Sequence, residues 1–125
     1  MFAKALLLIS FVVSVATAIL INPHITSPKK GVEWKANSYQ TVQWDTKGIK
    51  GSKATGTLLL GYREGNSLNE HLDTAHPLAK DFPLKNGRIK VKVPNVDPRK
   101  RYIVVLLGNS GNASPEFTIT NPTKH

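Results

Sequence analysis

The chain has 125 residues, 17 Lys and Arg against 8 Asp and Glu, and no cysteine. One domain is the expectation, without a disulfide framework or a thiolate metal site, so its stability has to come from packing. A formal charge of +9 draws such a chain toward polyanions, but no aromatic-basic RNA-binding motif is present, which sets nucleic acid aside.

At the start, Met1 to Lys4 carries one positive charge, Ala5 to Val15 is almost wholly apolar, and Ala16-Thr17-Ala18 supplies small residues. That is the pattern of a secretory signal cut between Ala18 and Ile19. The apolar run is short of the roughly 20 residues that span a bilayer, so no membrane anchor is expected. Residues 1–18 are therefore read as signal peptide, 19–121 as the domain and 122–125 as a short polar tail. The formal charge of the mature chain is +8, one below the full +9, because Lys4 is the only charged residue removed.

Beyond the signal, period-two segments separated by Gly, Pro, Asn and Asp predict short strands joined by turns. The first spans Ile19 to Thr26, interrupted by Pro23 and ended by Pro28, and reads as an edge strand. The second is Tyr39 to Trp44, the third Gly56 to Tyr62, and a weaker fourth covers Pro77 to Leu84. Asn86-Gly87 predicts a type I′ hairpin turn. The fifth strand, Arg88 to Val93, turns Ile89, Val91 and Val93 inward and Arg88, Lys90 and Lys92 outward. Tyr102 to Leu107 is apolar on both faces and should be central; Gly108 to Asn112 is a loop, and Glu116 to Thr120 closes the domain. Seven short strands in about 100 residues predict an all-β fold, an immunoglobulin- or fibronectin-III-like antiparallel two-sheet sandwich. The expected core holds Val42, Trp44, Leu60, Ile89, Val91, Tyr102, Val104, Phe117 and Ile119. Asp97-Pro98 followed by Tyr102 suits a tyrosine corner, in which the hydroxyl bonds backbone a few residues upstream.

The order of short motifs carries a resemblance. Ile25-Thr26-Ser27-Pro28 leads to Trp34, then Ser38-Tyr39-Gln40-Thr41-Val42-Gln43-Trp44, Leu58-Leu59-Leu60-Gly61, Val93-Pro94, Tyr102-Ile103-Val104-Val105 and Ser114-Pro115-Glu116-Phe117-Thr118-Ile119. Over nearly all of 19–121 this resembles the N-terminal domain of the fungal cell-wall-synthesis family associated with killer-toxin resistance and β-1,6-glucan. The same domain occurs in Ser/Thr-rich GPI-anchored fungal surface proteins. The resemblance implies secretion and association with the cell wall, and names no reaction. Two departures stand out. Ala36-Asn37 occupies a turn where the family usually has Gly, which Asn can replace because it accepts a left-handed backbone. No Ser/Thr-rich stalk or hydrophobic tail follows the domain, so a free domain is expected rather than a GPI-anchored one.

Little in the chain points to catalysis, and no enzyme activity is expected. The acids Glu33, Asp45, Glu64, Glu70, Asp73, Asp81, Asp97 and Glu116 show no spacing that singles out the carboxylate pair of a glycosidase. Cleavage before Ile19 leaves no N-terminal His for a copper-type polysaccharide oxidase. His71, Asp73 and His76 lie close together but lack further ligands, so neither a metal nor another cofactor is expected. No nucleophile elbow or phosphate-binding glycine loop is present. Asn112-Ala113-Ser114 is a glycosylation sequon, followed directly by Pro115.

Binding candidates are of two kinds. Arg88, Lys90 and Lys92 line one strand face, either as a solvated face that discourages edge pairing or as a shallow anion-binding surface to which Arg99-Lys100-Arg101 could add; Lys29-Lys30 is a third basic group. Trp34, in a connection, and Tyr39, at a strand start, are the candidate stacking platforms for sugar; the alternative for Trp34 is that it covers one end of the sandwich, since Trp is generally well buried. The expected partner is an acidic or phosphorylated cell-wall polysaccharide, with a surface protein bound through loops or a sheet edge as the alternative.

Overall fold

Strands with one apolar face must bury it against another layer, and two sheets facing each other meet that requirement. The computed structural model describes residues 23–49, 51–108 and 111–124. The expected signal segment, its expected cleavage after Ala18 and the first residues of the expected opening strand lie outside the described residues. The strands are β1 (Ile25–Ser27), β2 (Glu33–Lys35), β3 (Tyr39–Trp44), β4 (Thr55–Tyr62), β5 (Ala79–Pro83), β6 (Arg88–Lys92), β7 (Arg99–Leu107), β8 (Gly111–Ala113) and β9 (Phe117–Thr120). A three-residue 3-10 turn, Leu84–Asn86, lies between β5 and β6. Among the described residues no helix is long and apolar enough to cross a membrane.

The molecule is an all-β sandwich. A three-stranded sheet, β1-β3-β6, packs on a six-stranded sheet, β2-β9-β7-β4-β5 with β8 beside β7. Val42, Trp44 and Val91 from the small sheet meet Leu58, Leu60, Tyr102, Val104, Phe117 and Ile119 from the large one. Burying each of these aliphatic or aromatic side chains is worth about 1.5–3 kcal/mol. The expected core is present; only Ile89 is half-buried, near the edge of the small sheet. Strand β7 is central, as its sequence predicts, with every residue from Tyr102 to Leu106 buried.

Local chemistry explains several turns. The Tyr102 hydroxyl donates to the Asp97 carbonyl, which makes the tyrosine corner. Asn37 takes a left-handed φ of 69° in the turn before β3, the conformation its side chain tolerates better than most. The Trp44 indole donates to the Leu84 carbonyl at 2.8 Å, tying the β5–β6 connection to the core.

That connection is not the type I′ hairpin expected from Asn86-Gly87. β5 and β6 lie in different sheets, and Leu84 is fully buried, so the chain crosses between layers through the 3-10 turn. Only Gly87 takes a positive φ, 73°, and its N–H returns to the Leu84 carbonyl. Two strands were not expected. β2, carrying Trp34, pairs with β9 in parallel, which makes the sandwich antiparallel with one exception. β8 forms within the stretch read as a loop, because Gly111, Asn112 and Ala113 pair back onto Leu107, Leu106 and Val105.

Candidate functional site

Pairing in the small sheet assembles the basic strand face and Tyr39 into one surface. β3 and β6 run antiparallel with Tyr39 opposite Lys92, Thr41 opposite Lys90 and Gln43 opposite Arg88. All six residues are exposed, while the alternating Val42, Trp44 and Val91 are buried. The backbone N–H of Trp44 donates to Gly87 at 2.9 Å and that of Val93 to Ser38 at 2.8 Å. In an antiparallel ladder this phase makes the three exposed pairs the non-hydrogen-bonded ones, whose side chains approach most closely.

Tyr39 is 62% exposed, one of two large apolar side chains so open among the described residues. The Lys90 ammonium sits 5.2 Å from its ring centroid, a diagonal cation–π contact. None of these six paired residues is acidic, and the ion pairs among the described residues involve none of Arg88, Lys90 and Lys92. Successive cations along β6 stand about 7 Å apart, two residues at 3.3–3.4 Å each. The arrangement is a shallow cationic strip with one aromatic ring at its end and two neutral hydrogen-bonding side chains, Thr41 and Gln43, beside it. Those two residues were missed by sequence reasoning; the same period-two alternation that gave Tyr39 could have found them.

The other candidates lie elsewhere. Trp34 is 4% exposed, and its ring packs on Phe117 with centroids 4.6 Å apart. It holds β2 against the core and has no free face on which to stack a sugar. The Arg99-Lys100-Arg101 run begins β7 in the other sheet, so it does not extend the β6 field. Arg99 pairs with Glu64 at 2.9 Å and Arg101 with Glu116 at 3.0 Å. Hydrogen bonds from Arg101, with Arg63 assisting, hold the Glu116 carboxyl below the usual carboxylate range. Lys29 and Lys30 are exposed in the turn before β2.

Asn112 is half-buried, with its amide engaged in a backbone contact. Its Nδ2 donates to the Pro23 carbonyl at 2.7 Å, and the sequon hydroxyl of Ser114 is 3% exposed. That hydroxyl accepts from the Val104 N–H and donates to the Pro115 carbonyl. Of the histidine cluster, His76 pairs with Asp73 at 3.1 Å, whereas His71 stacks on Tyr62 with centroids 4.4 Å apart. Among the described residues no three His, Cys, Asp or Glu side chains converge on a point where a metal could bind.

One cavity of about 300 Å³ opens beside Tyr62, Tyr102, His71, Asp97, Arg99 and Lys124. The Arg99 guanidinium lies 3.9 Å from the Tyr62 ring centroid. Its charged side chains are already paired: Arg99 with Glu64, Lys124 with Asp97 at 3.7 Å, and Asp73 with His76. Nothing in this lining leaves a free charge aimed at a ligand. The β3–β6 face does, and it is the stronger candidate. Comparison with protein families, curated proteins and solved structures returns no match for this chain.

Proposed function

We propose that this protein is a secreted, non-catalytic domain of the fungal cell wall that holds acidic or phosphorylated polysaccharide on the outer face of its small sheet. The observation that carries the reading is the β3–β6 register, which gathers Tyr39, Arg88, Lys90 and Lys92 on one exposed face. The motif order shared with the fungal cell-wall-synthesis family supports the wall as the place of action. Three exposed cations acting over a Debye length of ~8 Å at physiological salt give weak, multivalent, salt-sensitive binding. Tyr39 adds an aromatic ring against which a sugar can pack, and Thr41 and Gln43 can hydrogen-bond its hydroxyls.

Retention on immobilised phosphorylated mannan, with neutral β-glucan and chitin beside it, tests this reading. Retention on the phosphorylated polymer should be strong near 0.01 M salt, where the Debye length is ~30 Å, and vanish near 1 M, where it is ~3 Å. Combining Arg88→Glu, Lys90→Glu and Lys92→Glu should abolish it while leaving the fold intact, since none of the three faces the core. A folded triple variant that is retained as well as the parent would show this surface to be merely solvated.

A further inference from the structure

Most strand edges in this molecule are short or irregular. β1 has three residues, and its register slips against β3 between Ile25 and Ser27. β2 and β8 also have three residues each. β5 is bulged: Asp81, with φ 59°, has no opposite residue as the pairing steps from Phe82 to Lys80. Bulges and short lengths of this kind protect an edge from further pairing.

β6 has neither a bulge nor a three-residue length, and its one protection is charge, from Arg88, Lys90 and Lys92, which opposes an edge of like sign. Its five residues keep an unbroken register with β3, and among the described residues it is paired on that side alone. The ladder phase set by the Trp44–Gly87 and Val93–Ser38 bonds points the N–H and C=O groups of Ile89 and Val91 toward β3. Those of Arg88, Lys90 and Lys92 consequently point away from the sheet. Among the described residues these outward groups meet no backbone partner, and all three residues are exposed.

We propose that the free edge of β6 is a docking strand for an extended acidic segment of a partner protein. The segment adds to the small sheet as a fourth strand, its affinity coming from main-chain hydrogen bonds to Lys90 and its neighbours. Charge selects the occupant. Arg88, Lys90 and Lys92 would face their own kind across a second copy of this edge, and like charges directly opposite oppose pairing. Carboxylates at alternate positions of an incoming strand meet the cationic face, and apolar side chains between them reach the rim beside half-buried Ile89. The inference is independent of the polysaccharide reading: a polysaccharide engages the side chains of β6, whereas a strand must also take up its outward main-chain groups.

Amide hydrogen exchange in the intact mature domain separates the two. The probe is a blocked peptide of alternating valine and glutamate, with dextran sulfate as a polyanion that cannot form a strand. With nine-tenths of the domain bound, the Lys90 and Lys92 amides should exchange about tenfold more slowly, while Ile89 and Val91, already bonded to β3, stay unchanged. A peptide of the same charge, N-methylated at its central glutamate and at the valine after it, loses an N–H toward β6 whichever way the strand runs and should lose this protection. So should the Lys90→Pro domain, relative to Lys90→Ala, which keeps the outward N–H. If Lys90→Pro does not fold, the N-methylated peptide decides on the parent domain alone. The proposal is overturned if the Lys90 and Lys92 amides exchange equally fast with and without peptide. It is equally overturned if the N-methylated peptide or dextran sulfate protects them as well as the strand-forming peptide does. Loss of polysaccharide retention would leave these outcomes untouched.

Discussion

The Tyr102 side chain joins a loop to the core through one oxygen. Its ring is 3% exposed, set edge-on to Tyr62 and tilted on Phe117, while its hydroxyl donates to the Asp97 carbonyl. Burial pushes the phenol above its ordinary value of 10.0, and the nearby Arg99 guanidinium opposes the shift without cancelling it. The folded state therefore keeps this proton at a pH where the unfolded chain has released it. The resulting stability is whole below pH ~10 and drains away as pH rises through the raised value. Tyr102→Phe should lower stability by about 1 kcal/mol at neutral pH, the usual net worth of one hydrogen bond. It should also flatten the alkaline fall, because no phenol remains to titrate there. Urea denaturation midpoints from neutral pH to above pH 10 check both effects; parallel alkaline slopes would show that Tyr102 does not cause the fall. Asp97-Pro98 ahead of Tyr102 made this contact legible in the sequence. For Trp34 the general tendency of Trp to be buried made a covering role legible, but not its strand or its partner. Its burial follows from the parallel pairing of β2 with β9, and nothing in the three residues Glu33-Trp34-Lys35 announces a partner that far along the chain.

Among the elements, β4 shows how a close approach selects a residue. Gly61 sits where the returning 70–72 segment crosses the strand, and the Tyr62 N–H donates to the Glu70 carbonyl at 2.9 Å. A Cβ at Gly61 would lie 2.3 Å from the Glu70 carbonyl oxygen and 2.7 Å from a Leu72 methyl. The first contact is with backbone, which cannot swing aside as a flexible side chain can. Gly61→Ala should therefore cost about 1–3 kcal/mol, the range for overpacking. It should also loosen the wall of the cavity that His71 and Asp73 help to line. Chemical denaturation measures the first effect, and faster exchange of the Asp73 amide, which donates to the Leu60 carbonyl, reports the second. An unchanged denaturation midpoint would mean that the segment gives way at no cost. Period-two alternation placed β3 and β6 almost to the residue and put Arg88, Lys90 and Lys92 on one face. It could not set Tyr39 opposite Lys92, because register depends on packing between distant strands. Asn86-Gly87 misled for a related reason: the dipeptide satisfies the local rule for a hairpin, but the burial of Leu84 sends the chain to the other sheet. The cavity at Tyr62, His71 and Arg99 joins three separate stretches, and no local pattern links them.

At the scale of the whole molecule, three arginines of the large sheet and the three cations of β6 stand in different environments. On the large sheet and its loops, Arg63, Arg99 and Arg101 are matched to Glu70, Glu64 and Glu116. On the small sheet, Arg88, Lys90 and Lys92 have no acidic partner among the described residues. Surface pairs of the first kind contribute about 0–1 kcal/mol each and are screened by salt. Unmatched cations of the second kind repel one another, and that repulsion is screened as well. The two effects of salt on stability therefore oppose each other, whereas its effect on attraction to a polyanion has a single sign. Raising salt from about 0.01 M to about 1 M, which shortens the Debye length from ~30 Å to ~3 Å, should abolish retention on phosphorylated polysaccharide and shift the melting temperature little. The neutral triple variant, Arg88→Gln with Lys90→Gln and Lys92→Gln, should melt no lower than the parent at low salt, since it relieves repulsion and removes no core contact. Thermal melts and retention measured on the same samples test this separation. A triple variant that melts well below the parent would mean that these side chains hold the sheet together, and their place on β6 would then reflect folding rather than binding.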